Sequence, residues 1–381
     1  MSAPGNDQVI IALERLIAEA RRGHSSYLVA TMVGQGQKPM GFCAGASAMA
    51  PIATAELQHL AAALDIDISN KTLPPRRADI PADRVCYNVP ISPLSYDFAC
   101  WLVDAEMTRI AEGAPAPLKV CFWFGRDGKT GFNDSHREQM FRGVVRPMLD
   151  LIGAVEDPTA ADGRFKQFFV SRDIAARAAA GAEVSRFRAP AGQLQAMRQR
   201  FDRPLTITLR EAGHNPYRNS NLKAWVRFAR HLKKRGENVV FVRDTAQANL
   251  PIEGFATCPE ASVDLHARMA LYETARMNLF VSNGPVSLGY FGTFPWLMFL
   301  KPESDSYQYE ANTPSFWRDH IGVEMGGQFP WCRPDQRIIW KPDNYEHLIA
   351  AWHEISADGA LFGGAVPPSC PPWPSSPPPQ T

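Results

Sequence analysis

The stretch Asn278–Leu300, NLFVSNGPVSLGYFGTFPWLMFL, leaves few folds open. Leu279-Phe280-Val281 is an apolar run of the length expected for a strand buried on both faces. Ser282-Asn283-Gly284-Pro285 then interrupts it: Gly permits a tight turn, and Pro has a preset φ suited to the first helical position. A short helix follows, ended near Gly292-Thr293-Phe294-Pro295, before a second apolar run, Trp296–Leu300. Strand, polar turn, helix and strand in immediate succession make a unit of a parallel sheet. In an open α/β sheet such a turn lies at the carboxyl edge of the strands, where ligands bind. The helix start would offer N–H groups and positive dipole to an anion, typically phosphate. The plain alternative is an ordinary βα turn with a Gly-Pro start.

The same rhythm extends through most of the chain. Val85–Val89 is strand-like, and Ser92–Asp97 starts a helix reaching about Glu112. Leu118–Phe124 is a second strand, the loop Gly125–Asp134 is polar, and Ser135 caps a helix running to about Ile152. Gln167–Ser171 reads as another strand ahead of an Ala-rich helix. After the basic stretch Arg198–Arg203, a second βα series begins with Leu205–Leu209. A helix follows with Leu222, Trp225, Val226, Ala229 and Leu232 on one face, closed by Gly236. Val239–Val242 is the next strand, residues 264–276 form a helix, and Ile338–Trp340 and Tyr345–Ile355 close the series. Alternation of this kind predicts parallel sheets with helices on their faces.

Charge and composition remove several classes of function. A formal net charge of +1 gives no electrostatic case for a nucleic-acid partner. No apolar run approaches the roughly 18 residues of a membrane span. MSAPGNDQ has neither the basic nor the apolar part of a signal peptide. Seven dispersed cysteines without a CxxC pair read as buried free thiols rather than as a disulfide frame or a metal site, which fits a cytoplasmic protein. Residues 1–82, with an amphipathic helix at Asn6–Arg22 and a Pro-rich connector at Asn70–Ala82, form an extension of unknown role. Pro367–Thr381 is a disordered or polyproline tail.

The chemistry-bearing residues collect at strand ends. Leu205–Leu209 runs into Arg210, and the loop after it holds Glu211, His214, Arg218, Asn219 and Asn221. The next strand ends in Arg243-Asp244-Thr245. In a parallel sheet all of these share the carboxyl edge with Ser282–Ser287. Arginines and amides facing a helix N-terminus suit a diphosphate, because Arg pairs bidentately with phosphate oxygens. The competing reading is a solvated loop whose charges pair among themselves, with Asn219 or Ser220 capping the helix. In the first series, Asp97 is either a dipole-stabilising residue or an acceptor-side acid, and Asp134 and His136 divide similarly.

Two consecutive βα domains with a Gly-Pro turn late in the second resemble the GT-B glycosyltransferases. SNGPVSLGYFGTFP is similar to the turn and helix of bacterial heptosyltransferases, with Gly284, Pro285 and Pro295 in matching places. Ser287 stands where that family has His, and Gly292 is one position early. The strand ending in Arg210 resembles the fucosyltransferase unit whose arginine holds the donor diphosphate. RNSNLKAW and GGQFPW…QRIIW are also similar to an uncharacterised bacterial glycosyltransferase-like group. These likenesses fall from about Leu205 onward.

The resemblance implies an α/β fold of two Rossmann-like parallel-sheet domains facing a cleft. Residues 83–202 would form the acceptor domain and 203–357 the nucleotide-sugar donor domain, with 1–82 as an extension and 358–381 as a tail. It implies a metal-independent transferase moving a sugar from a nucleotide-sugar donor to a glycan or other glycoconjugate acceptor, as in bacterial surface polysaccharide synthesis. No cofactor or metal is implied beyond the donor itself. The isolated Asp65-Ile66-Asp67 reads as a helix-end turn. Arg210, Arg218, Asn219, Asp244, Ser282, Asn283, Gly284, Pro285 and Ser287 would hold the donor. Asp97, Asp134 and His214 are the candidates for general base, and the sequence does not choose among them. A GT-B-fold nucleotide-sugar epimerase and a non-catalytic sugar-nucleotide or protein-binding module are the alternatives.

Overall fold

The computed structural model describes residues 81–89, 92–124, 135–159, 164–165, 171–213, 215–304 and 310–357. The N-terminal extension up to residue 80, the Asp65-Ile66-Asp67 turn, Asp134, His214 and the C-terminal tail lie outside the described residues. So does most of the strand expected at Gln167–Ser171, while Ser171 itself opens a helix.

Two parallel sheets organise the chain, as the βα rhythm predicts. The first has strand order β3-β2-β1-β4, built from β1 (Arg84–Asn88), β2 (Lys119–Trp123), β3 (Val155–Glu156) and β4 (Arg164–Phe165). All its pairings are parallel. The second comprises β5 (Leu205–Thr208), β6 (Val239–Val242), β7 (Ala256–Thr257), β8 (Met277–Val281), β9 (Trp296–Phe299) and β10 (Gln336–Ile339). Its order is β10-β9-β8-β5-β6-β7, again wholly parallel. The chain thus lays down β5, β6 and β7 outward, then returns to place β8 on the other side of β5. This is the doubly wound order, and the reversal between β5 and β8 is its switch point. Every residue of β5, β6, β8 and β9 is buried, which explains why these strands read as unbroken apolar runs.

Two polar residues inside these apolar strands pin the switch point. Thr206 Oγ1 donates to Asn278 Oδ1 at 2.6 Å, linking β5 to β8. Asn278 Nδ2 in turn donates to the carbonyls of Tyr272 (3.0 Å) and Pro295 (3.1 Å). A register slip would leave these buried groups unsatisfied, at a cost of about 1–3 kcal/mol each.

The helices are α1 (Phe98–Ala111), α2 (Ser135–Met140), α3 (Ser171–Ala179), α4 (Ala191–Arg200), α5 (Leu222–Lys234), α6 (Pro259–Val263), α7 (Leu265–Thr274), α8 (Val286–Phe291) and α9 (Tyr345–Ala357). Two differ from the sequence expectation. The helix expected from Ser135 to Ile152 stays α-helical only to Met140, widens through Phe141–Val145, and tightens at Pro147–Leu151. Pro147 cannot donate the next helical hydrogen bond. In α5 the buried face is Ala224, Trp225, Phe228, Ala229 and Leu232. Leu222 and Val226 lie toward its margin, and Leu222 is exposed because it opens the first turn.

The two sheets belong to bodies that share apolar packing. One continuous cluster runs from Tyr87, Phe98 and Trp101 of the first body to Phe280, Leu288 and Phe291 of the second. α8 lies on α1. The chain crosses between bodies along 182–190, where Phe187 N donates to Phe291 O and Arg188 N to Leu151 O. Helix α4, which follows this crossing, packs on α7, and Met197 and Phe201 join Val240, Val242 and Leu271. By packing, therefore, α4 sits with the second body. An apolar interface of this kind restrains motion of one body against the other.

Candidate functional site

The loops after β5 and β8 meet because those strands are neighbours. Arg210 follows β5 and is only 6% exposed. Its backbone is fixed by Ser220, whose Oγ accepts from Arg210 N (2.8 Å) and whose N–H donates to Arg210 O (2.9 Å). Its Nη1 donates to Asn215 O at 2.9 Å and to Asn219 Oδ1 at 2.5 Å. Asn219 also accepts from Ala212 N (3.1 Å) and donates to Ala212 O (2.9 Å). It therefore folds the loop. The helix cap is Asn221, whose side chain accepts from Ala224 N.

Arg218 closes a short turn, Pro216–Arg218, entered through Asn215 in the left-handed region at φ 50°. Its Nη2 reaches across to β8, donating to Ser282 O (2.9 Å) and Ser282 Oγ (3.3 Å). Its Nε is buried with no hydrogen-bond partner among the described residues. A guanidinium has five donors, and among the described residues only Nη2 of Arg218 finds a partner. Burial lowers the pKa of both arginines, and for Arg210 the nearby Arg218 charge lowers it further. Two desolvated cations in each other's field favour an anion between them.

The turn at β8 departs from the expectation of a helix start open to phosphate. The helix begins at Val286, with Pro285 as the cap residue, and is a single short segment. Val286 N donates to Asn283 Oδ1 (3.1 Å), and Ser287 N donates to Gly284 O (3.0 Å). Two of the first amides are thus already engaged. Ser287 is buried. A Cβ built on Gly284 would stand 2.8 Å from Cδ2 of Tyr96. The space that glycine leaves open is taken by a ring from the first body rather than kept for a phosphate.

Asp244 lies at the end of β6. Its Oδ2 accepts from Glu211 N (3.1 Å) and its Oδ1 from Thr245 N (2.9 Å), so it joins the β5 and β6 loops. Glu211 is bound to Arg243, whose Nε donates to Oε2 at 3.0 Å and whose Nη2 takes Oε1. Glu211 raises the pKa of Arg243, the opposite of what happens at Arg210.

Asp97 faces this edge from the first body. The segment before α1 is held by Tyr87 Oη on Pro93 O (2.5 Å) and by Arg137 Nη2 on Val89 O (2.7 Å) and Ser92 O (3.2 Å). Asp97 sits at the N-cap position of α1 and makes no side-chain capping bond. Ser95 Oγ donates to its Oδ2 at 2.8 Å. The residue keeps solvent exposure, while protein atoms crowd round its carboxylate. That enclosure raises its pKa, against the lowering effects of the Ser95 hydrogen bond and the Arg218 charge. Asp97 and Arg218, from different bodies, are thus within electrostatic reach of each other.

Several residues here were not singled out in the sequence. Arg268 of α7 is buried, donates to Tyr272 Oη (3.3 Å) and Ser262 O (3.1 Å), and lies in the electrostatic reach of Tyr96 and Asp244. The one available signal was a charged residue inside the apolar run ARMALY. Cys100, one turn after Asp97, accepts from Ser171 Oγ at 3.0 Å, and burial pushes its thiol up to about 12, which keeps it protonated. His136, by contrast, lies exposed on α2. Among the described residues no three His, Cys, Asp or Glu side chains gather as a metal site. Nor is any helix long and apolar enough to cross a membrane.

No family model matches the chain, and no curated protein does. Among solved structures it is similar to E. coli ADP-heptose LPS heptosyltransferase II, at 14% identity and a TM-score of 0.33 over 73% of this chain and 76% of the other. It is similar to the iron-containing dodecameric glycosyltransferase TibC of enterotoxigenic E. coli H10407, at 14% identity and a TM-score of 0.39 over 72% and 76%. It is also similar to the family 9 glycosyl transferase of Veillonella parvula DSM 2008, at 8% identity and a TM-score of 0.38 over 73% and 89%.

Proposed function

We propose that the chain is a glycosyltransferase of the heptosyltransferase-like kind, transferring a sugar from a nucleotide-sugar donor to a carbohydrate acceptor. The observation that carries this reading is the placement of Arg218. It is a desolvated cation with a buried, unpartnered Nε at the switch point of a doubly wound sheet, beside a second buried arginine and facing a carboxylate from the other body. A diphosphate fits Arg210 and Arg218 through charge-assisted hydrogen bonds. The same contacts would stabilise the leaving nucleoside diphosphate as its charge develops. Asp97 is the base in this reading. Its raised pKa makes it a better proton acceptor than an ordinary aspartate, and its solvent access leaves room for an acceptor hydroxyl. Charge neutralisation falls to the arginines, and no metal takes part.

The test is a panel of labelled nucleotide sugars, with Asp97→Asn as control. One donor should release its nucleoside diphosphate, and Asp97→Asn should abolish release while retaining nucleoside diphosphate binding. If the native protein neither binds nor turns over any member of the panel, the reading is wrong. Epimerised donor without released nucleotide would replace it with an epimerase.

A further inference from the structure

Tyr96 and Gly284 come from different bodies and fit one another closely. A methyl at Gly284 would lie 2.8 Å from Tyr96 Cδ2, 3.3 Å from Cγ and 3.4 Å from Cβ. Cβ is fixed by the backbone just before α1, where Ala99 N donates to Tyr96 O, and Cγ and Cδ2 lie only one and two bonds beyond it. A clash so near the root is relieved by turning the ring or moving the backbone, not by the swing of a flexible tip. Gly284 does not have a positive φ, so its backbone conformation does not require glycine. What requires glycine is the ring.

The other end of Tyr96 feels charges of the second body. Its hydroxyl is within the electrostatic reach of Arg268, Tyr272 and Asp244, and burial raises its pKa. The ring thus stretches from the turn after β8 toward helix α7. The very next residue is Asp97, and the two share the Ser95 turn, in which Asp97 N donates to Ser95 Oγ at 3.2 Å. A backbone shift of Tyr96 that relieved a clash at Gly284 would therefore carry Asp97 with it.

We infer that Tyr96 is a positioning residue: its ring, seated on Gly284, sets the separation between Asp97 and the turn that closes the donor crevice. This rests on the reading of Asp97 as base and of the β5–β8 crevice as donor site. The ring would act on the transfer step more than on donor affinity, since small misplacement of a catalytic group is costly to rate. Serine or glycine at position 96 would leave the crevice charges intact and lose this spacing.

The experiment is a double-mutant cycle on the full chain, read by nucleoside diphosphate affinity and by kcat for the donor that the native protein turns over. Tyr96→Ala should lower kcat by about tenfold or more with affinity within about threefold. Tyr96→Phe, which retains the ring, should recover most of the rate. Gly284→Ala should also lower kcat, and adding it to Tyr96→Ala should cause no further loss, because the methyl then has room. The inference is overturned if the two losses are additive, if Tyr96→Ala weakens affinity as much as rate, or if it leaves kcat unchanged. Were Tyr96→Ala to unfold, Tyr96→Phe and Gly284→Ala would still decide. Rate retained in the first with rate lost in the second supports positioning, whereas rate lost in both or retained in both contradicts it. A native protein that binds and turns over no nucleotide sugar would instead overturn the function itself, and this inference with it.

Discussion

Strands β5 and β6 lie side by side, and each runs straight into an arginine, yet the two arginines have opposite surroundings. Arg243, after β6, is held by both oxygens of Glu211, with side-chain exposures of 10% and 15% for the pair. Its charge is matched on the spot, and its pKa rises. Arg210, after β5, gives Nη1 to two neutral oxygens; burial lowers its pKa and the Arg218 charge lowers it further, against a smaller raising effect of Asp244. The first arrangement closes a loop. The second, completed by Arg218, whose Nε has no partner among the described residues, gathers positive charge where the sheet reverses. In the proposed reading, a strand-end arginine serves as a ligand-binding group or as a brace according to which carboxylate its neighbours supply.

Exchanging the two fates should give the largest effect. Arg243→Ala leaves the Glu211 carboxylate enclosed without its partner, and a stability loss of about 3 kcal/mol is expected, visible in denaturant titration. Nucleoside diphosphate affinity of the folded protein should change little. If affinity collapses while stability holds, Arg243 belongs with the binding residues and the contrast fails.

Arg210→Ala should act the other way, costing about 1.5–3 kcal/mol of nucleoside diphosphate affinity, or one to two decades, by calorimetry. Arg210→Lys should recover only part, because an ammonium lacks the planar fork. Asn219→Ala provides the check, since it removes the brace and keeps the charge. A smaller affinity loss than in Arg210→Ala is expected. An equal loss would mean that Arg210 matters only as a loop brace.

A third expectation concerns pH. Asp97 has a raised pKa in the folded chain, so the acid limb of its rate profile should lie above the ordinary aspartate range. Ser95→Ala removes a hydrogen bond that favours the ionised form, and should move that limb further up. The stability consequence has a definite sign. A carboxyl whose folded pKa exceeds its unfolded one costs stability when ionised, and that cost disappears as pH falls below the unfolded value. Asp97→Asn should therefore raise Tm at neutral pH and leave it unchanged in acid. A Tm lowered at neutral pH would show that the carboxylate is a stabilising partner instead. The smallest effect expected is that of EDTA, which should leave donor turnover intact; an obligatory divalent ion would remove the arginines from their role as sole neutralising charges.

Much of this architecture could be read from the sequence because the second sheet is buried on both faces. Leu279-Phe280-Val281 and WLMF are apolar throughout for that reason, and the strand–turn–helix unit at Asn278–Leu300 followed from them. Among the strands that escaped, Val155–Glu156 and Ala256–Thr257 are two-residue edge strands with exposed positions and no apolar run to betray them. Gathering Arg210, Arg218 and Ser282 at one edge needed only parallel strands, so these residues were legible. The bonding within that edge was not. Whether Glu211 turns to Arg210 or Arg243, and whether Asn219 faces a ligand or its own loop, depends on side-chain geometry that no spacing encodes. Least legible were contacts between bodies, such as Tyr96 on Gly284, for which each residue looks ordinary in its own segment.

The central claim, that the β5–β8 crevice holds a diphosphate through its desolvated arginines, is tested most directly at Arg218. Calorimetric titration of the preferred nucleoside diphosphate into the native protein and Arg218→Ala, with a melting curve of each, is sufficient. Removal of a cation with a buried unpartnered donor should cost one to two decades of affinity, about 1.5–3 kcal/mol, without lowering Tm. Unchanged affinity, or a lowered Tm with the affinity of the folded protein intact, would make Arg218 a structural tie to Ser282 and contradict the account.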